Sequence, residues 1–234
     1  MQKLIKILFI SCFLFITTAN AETLSYVPEN AKRALIVIHG YGGNGRSMQW
    51  MTDQLKKALP DMAFYYPSAP DNAPTGGKQW FVIPVLGEEI RDKALYDKMM
   101  ADAMHNVKVL HEVVEEIHED LHIPYQNIYV SGFSQGGLMA LLTTLTSPHN
   151  LPVAVSFSGV PLLLTPDFTV KNVVAKPDIL LLQGNRDSVI PKDSMQMTTD
   201  TLKSLGIEPQ VQEIGGMSHQ INQKALKTAI EFME

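Results

Sequence analysis

Short apolar runs recur along the chain, separated by longer stretches whose apolar positions fall three and four apart. The run at 34–38, Ala-Leu-Ile-Val-Ile, has no polar alternation, as expected of a strand covered on both faces. Runs at 62–67, 127–130, 153–157, 179–182 and 210–214 predict further strands. Helices are predicted over 47–58, 91–121, 192–205 and 220–233, with another opening around 138–142. Along 91–121 the apolar face is Met100, Ala103, Val107, Leu110, Val114, Ile117 and Leu121. Strands that alternate with helices imply right-handed crossovers, and so an α/β chain with a mainly parallel sheet wound on both faces. Two stretches break the pattern. The Pro- and Gly-rich segment 68–86 carries Lys78, Gln79, Trp80 and Phe81, and its length and aromatic content suit a lid or a substrate wall, with surface packing as the alternative. The irregular 161–176 suits a cleft rim.

The amino terminus follows another logic. Lys3 and Lys6 precede an apolar run from 7 to 16, which is followed by Ala19-Asn20-Ala21. This is the layout of a secretory signal peptide, 1–21, cut after Ala21, and it predicts a periplasmic or secreted protein of one domain, 22–234. The run is too short to span a bilayer. Cys12 lies inside it, away from the position a lipidation site would take. It is also the only cysteine of the 234 residues, so the processed chain would have no disulfide, thiolate metal site or cysteine nucleophile. Loss of Lys3 and Lys6 from the 19 basic side chains leaves 17 against 24 acidic ones, a formal charge of −7. Without a basic cluster, neither nucleic acid nor an anionic membrane is expected as a partner.

The chemistry centres on Gly132-Phe133-Ser134-Gln135-Gly136-Gly137, between a buried strand and a helix. A Gly-x-Ser-x-Gly frame in that context suits a sharp corner that lifts the serine hydroxyl above the sheet. Gly132 and Gly136 avoid backbone collisions, and the Gln135 N–H at the helix start faces the place where an oxyanion would form. The Gly-rich loop His39-Gly40-Tyr41-Gly42-Gly43-Asn44-Gly45 lacks the Lys-Ser/Thr of a phosphate loop, so its backbone N–H groups are read as the second oxyanion donor. A serine hydroxyl needs an imidazole to take its proton and a carboxylate to orient that imidazole. Asp187 follows the strand at 179–182 and His219 follows the strand at 210–214, completing the chain order Ser, Asp, His. Asp167 and Asp178 are rival acids that do not follow the end of a strand. His118 and His122, one turn apart, read as a solvated face in preference to a metal site.

The chain resembles the phospholipase/carboxylesterase family of α/β-hydrolases, which includes the acyl-protein thioesterases. The resemblance runs over most of the processed chain, from 36–40 through Gln79-Trp80-Phe81 and 132–137 to 184–191 and Gly216-Met217-Ser218-His219. It implies Ser134, Asp187 and His219 as the triad, oxyanion N–H groups from Tyr41 and Gln135, and no cofactor or metal. Three positions depart from the family pattern. Tyr41-Gly42-Gly43-Asn44-Gly45 stands where Leu-Gly-Asp-Thr-Gly is usual, Val82 stands where an aspartate commonly follows Trp-Phe, and Asn185 replaces the first aspartate of Gly-Asp-x-Asp. These bear on substrate identity more than on reaction type. The expected activity is cleavage of a small-molecule or lipid ester, with thioesters and lysophospholipids as variants, through an acyl-serine intermediate. A peptidase on the same fold and a non-catalytic binding module are the alternatives.

Overall fold

The computed structural model describes residues 15–17, 22–83 and 92–234. Six strands run parallel: β3 (Arg33–Ile38), β4 (Met62–Pro67), β7 (Ile128–Phe133), β8 (Val153–Phe157), β9 (Asp178–Gly184) and β10 (Gln210–Ile214). Two antiparallel strands, β1 (Phe15–Thr17) and β2 (Glu22–Tyr26), extend the edge beside β4, giving the order β1-β2-β4-β3-β7-β8-β9-β10. The short β1 comes from the segment read as a signal peptide. The rest of that segment lies outside the described residues.

Each buried strand feeds two cores because successive side chains point to opposite faces. Ile36 and Ile38 of β3 join the helices α2 (Lys93–Leu121), α3 (Gln135–Thr146) and α4 (Ser194–Ser204). Leu35 and Val37 join α1 (Thr52–Ala58) and α5 (Gln223–Met233) on the other side. The unbroken apolar run at 34–38 therefore reports two covered faces. Among the described residues no helix is long and apolar enough to cross a membrane.

Local chemistry sets the helix limits. Asp92 caps α2 by accepting from the N–H groups of Ala94 and Leu95, and the helix ends at His122, whose left-handed φ of 53° precedes Ile123-Pro124. Residue 91, predicted as the start, lies outside the described residues. The helix expected over 47–58 is divided into a 3-10 helix, Gly45–Met51, and α1. Asn44 and Ser47 form a reciprocal capping pair that starts the chain winding two residues earlier than predicted. The 68–86 segment is also more ordered than its composition suggests. Strands β5 (Asp71–Asn72) and β6 (Lys78–Gln79) pair within it, while 84–86 fall outside the described residues. His118 is not simply solvated, since it bonds the Ile123 carbonyl through Nδ1 at 2.9 Å and stacks on Tyr125.

Candidate active site

β7 delivers Ser134 to the carboxyl end of the sheet, where the chain turns into α3. The turn is strained: Ser134 has φ 56° and ψ −116°, a region that L-residues occupy only when their surroundings enforce it. The surroundings here leave no slack. A Cβ at Gly132 would lie 2.0 Å from the Gly136 carbonyl oxygen, and one at Gly136 would lie 2.3 Å from that of Ile38. The Ser134 N–H donates to the Phe157 carbonyl at 2.9 Å, and its own carbonyl accepts from Gly137 at 2.9 Å. The side chain makes no capping bond with its helix, so the hydroxyl is available for another partner.

That partner is His219. Ser134 Oγ lies 3.0 Å from His219 Nε2, and His219 Nδ1 lies 2.9 Å from Asp187 Oδ2. An ionised carboxylate can only accept, so Nδ1 carries the imidazole proton and Nε2 is left bare to accept from the serine hydroxyl. The other oxygen of Asp187, Oδ1, accepts from the N–H groups of Val189 and Ile190 at 2.9 and 3.0 Å. Burial pushes this carboxyl up, but the bond from His219, the two backbone donors and the nearby imidazole outweigh it and hold it below the usual carboxylate range. Asp167 and Asp178 are exposed.

The loops after β9 and β10 are tied together. Asn185 Oδ1 accepts from the Gly216 N–H at 2.8 Å, and the Arg186 N–H donates to the Met217 carbonyl at 3.0 Å. Asn185, one of the departures noted in the sequence, therefore couples the loop of Asp187 to that of His219. Phe133 stacks obliquely on the His219 ring, with centroids 4.8 Å apart.

On the other side of the serine, the Gln135 N–H opens α3, at the positive end of the helix dipole, while Tyr41 lies on the loop after β3. Among the described residues neither N–H is used in a turn or cap hydrogen bond. The Gln135 side chain has a separate task. Its Nε2 donates to the Phe81 carbonyl at 2.8 Å and its Oε1 accepts from the Trp80 N–H at 3.0 Å.

This alters the reading of Trp80 and Phe81 as substrate-binding residues. Both side chains are fully buried at 0% exposure, within the core over α2 and α3, so neither ring is an open pocket wall. They brace the site from behind. The indole Nε1–H of Trp80 donates to the His39 carbonyl at 3.0 Å, and Asn106 of α2 donates to the Trp80 carbonyl at 2.7 Å. His39 and Asn106 are supporting residues that the sequence pattern did not single out. The histidine could have been suspected from its position at the end of a buried strand, but nothing marks Asn106 among the polar residues of a long helix. Among the described residues no group of three His, Cys, Asp or Glu side chains could hold a metal ion.

A mainly parallel sheet with a serine corner at its centre, and acid and base on later strand ends, defines an α/β-hydrolase. A model of the phospholipase/carboxylesterase family matches residues 2–234, and the chain belongs to that family. Acyl-protein thioesterase 1 of Eremothecium gossypii is 26% identical over 209 residues, 87% of this chain and 88% of the relative. Carboxylesterase SOBER1 of Arabidopsis thaliana is 26% identical over 204 residues, 84% and 87% of the two chains. Among solved structures, esterase PE8 superposes with a TM-score of 0.78 at 30% identity, covering 89% of this chain and 95% of its own.

Proposed function

We propose that the protein is an exported serine hydrolase that cleaves carboxylic esters, and thioesters by the same route, through an acyl-serine intermediate. The observation that carries this reading is the continuous hydrogen-bonded line from Ser134 Oγ through His219 to the buried Asp187. Ser134 Oγ attacks the carbonyl carbon while its proton passes to His219 Nε2. Asp187 stabilises the resulting imidazolium. The oxyanion forms opposite the N–H groups of Gln135 and Tyr41; removing one such donor costs about 10²–10³ in rate. Collapse expels the alcohol or thiol, which takes the proton from His219. A water then repeats the sequence and releases the acid.

The family membership supports an ester or thioester as substrate, and lysophospholipids fall within the same chemistry. Export rests on the basic, apolar and small-residue layout of 1–21. The test is labelling of the wild type and Ser134→Ala with a fluorophosphonate, followed by turnover of an ester, a thioester and a peptide amide. Serine-dependent labelling with ester and thioester turnover is expected. Full labelling of Ser134→Ala would place the nucleophile elsewhere, and amide turnover equal to ester turnover would favour the peptidase alternative. N-terminal sequencing of protein recovered outside the cytoplasm should begin at Glu22.

A further inference from the structure

A cleft of about 340 Å³ opens next to His219, and Tyr41, Met48, Trp50, Phe133 and Ile221 are among the side chains that line it. Among the described residues its lining contains no Lys, Arg, Asp or Glu. Trp50 is 48% exposed, a large aromatic surface left in water at the cleft, whereas the other tryptophan, Trp80, is fully buried. An exposed aromatic surface of this kind gains from covering by an apolar group.

The direction of the chemistry indicates which part of the substrate would cover it. Once Ser134 Oγ is bonded to the carbonyl carbon, the oxyanion faces the oxyanion-loop and Gln135 N–H groups. The leaving oxygen must approach His219 Nε2, because that atom holds the proton it needs. The leaving group therefore extends toward the space that His219 borders, and this cleft is lined by His219 and the Gln220-Ile221 that follow it. On the basis of the serine-hydrolase reading above, we propose that the cleft is the alcohol subsite and that Trp50 gives it a preference for esters of uncharged aromatic or alkyl alcohols.

Acylation forms the bond from Ser134 Oγ to the carbonyl carbon and breaks the bond from that carbon to the alcohol oxygen. The serine proton reaches the alcohol through His219. The acyl-enzyme no longer contains the alcohol, so an alcohol subsite acts on acylation and not on hydrolysis of the acyl-serine. In reverse, an added alcohol seated in the cleft can attack the acyl-serine in place of water. Its hydroxyl proton passes to His219 and then to Ser134 Oγ.

The experiment uses wild type, Trp50→Ala and Trp50→Phe, with thermal unfolding to show that each is folded. One series holds the acyl group as acetyl and varies the alcohol over methyl, butyl, hexyl and benzyl, with acid release followed by a pH indicator. A second holds the alcohol as 4-nitrophenol and lengthens the acyl chain from acetyl to octanoyl. Trp50→Ala should reduce the kcat/KM ratio of benzyl to methyl acetate about tenfold, within the usual range for a lost apolar contact, and Trp50→Phe should restore most of it. The acyl-length dependence should match wild type. With benzyl alcohol added to a 4-nitrophenyl acetate reaction, the yield of benzyl acetate relative to acetate should fall in Trp50→Ala.

A changed acyl-length dependence with an unchanged alcohol series would make the cleft an acyl site and overturn the proposal. No change in either series would make it a solvent recess and also overturn it. If the wild type cleaves no ester and Ser134 takes up no fluorophosphonate, the serine-hydrolase reading itself fails and the alcohol subsite falls with it.

Discussion

Ala69 donates its backbone N–H to Nε2 of His39 at 2.9 Å, which fixes the proton of this buried imidazole on the other nitrogen. Nδ1 then donates to the Gly40 carbonyl at 2.7 Å. That carbonyl belongs to the same peptide unit as the Tyr41 N–H, so the bond sets the plane of the expected oxyanion donor. Burial, helped by the charge of Lys78 and opposed by the Gly40 bond, pushes the His39 pKa down to about 4. The unfolded chain binds this proton at an ordinary value near 6.5. Between those values the unfolded state holds more protons, so the contribution to stability is full above about pH 6.5 and is lost as pH falls toward 4. Denaturant unfolding of wild type and His39→Asn at pH 7.5 and 4.5 should show wild type losing about 2–3 kcal/mol more than the variant. Parallel losses would mean that His39 does not titrate in this way.

Trp80→Ala should lower kcat/KM for acetate and octanoate esters by the same factor, because the indole supports the site without forming an open acyl wall. Its removal should also cost about 3–5 kcal/mol of stability, as for other buried aromatic truncations. A penalty that grows with acyl length would restore the expectation drawn from the sequence.

The Gln135 side chain satisfies one buried N–H and one buried carbonyl of the 80–81 segment. Gln135→Ala should leave both unpaired and destabilise the protein by about 2–6 kcal/mol, at the usual one to three for each group. The oxyanion N–H is backbone and survives the change, so any loss of kcat should come from displacement of the loop. Gln135→Met, which fills the volume without the polar bonds, should not rescue it. Recovery by methionine would show that packing, and not the hydrogen bonds, secures the segment.

Ser134→Ala and Ser134→Gly should both be inactive and refractory to fluorophosphonate, yet they should differ in stability. Only glycine relaxes the φ of 56° without a Cβ penalty, so the glycine variant should be more stable than alanine by about 1–2 kcal/mol. Equal unfolding midpoints would indicate that the corner is not strained.

Asp187→Asn should lower kcat by about 10⁴, the precedent for an amide that favours the wrong imidazole tautomer. Stopped-flow acylation measured on the folded variant is the check. Activity within tenfold of wild type would remove Asp187 from the mechanism.

The meeting of Ser134, Asp187 and His219 could be expected from the chain because each follows an apolar strand, and parallel strands bring their following loops to one rim. The core runs were legible for a related reason: 34–38 shows no alternation because both its faces are covered. The 3-10 helix at Gly45–Met51 was not legible, because an Asn44–Ser47 capping pair and apolar spacing look alike whichever helix follows. Trp80 was misread because an aromatic in a Pro- and Gly-rich stretch carries no sign of its depth. Its burial depends on contacts with His39 and Asn106, far away in sequence. Trp50 gave no signal at all, since apolar spacing does not mark which aromatic of a helical stretch is left exposed.

The reversed direction of β2 bears on the proposed cleavage after Ala21. Thr23 pairs with Pro67, the last residue of β4, so Glu22 lies at the end of the sheet from which the catalytic loops emerge. Cleavage after Ala21 would therefore create a new α-amino group on that same rim. Such a group ordinarily titrates near pH 7.7–8.0, so maturation would add a cation at the working face where the precursor carries a neutral peptide bond. If the proposed cut is made, it is an electrostatic edit of the catalytic end of the molecule as well as the loss of residues 1–21.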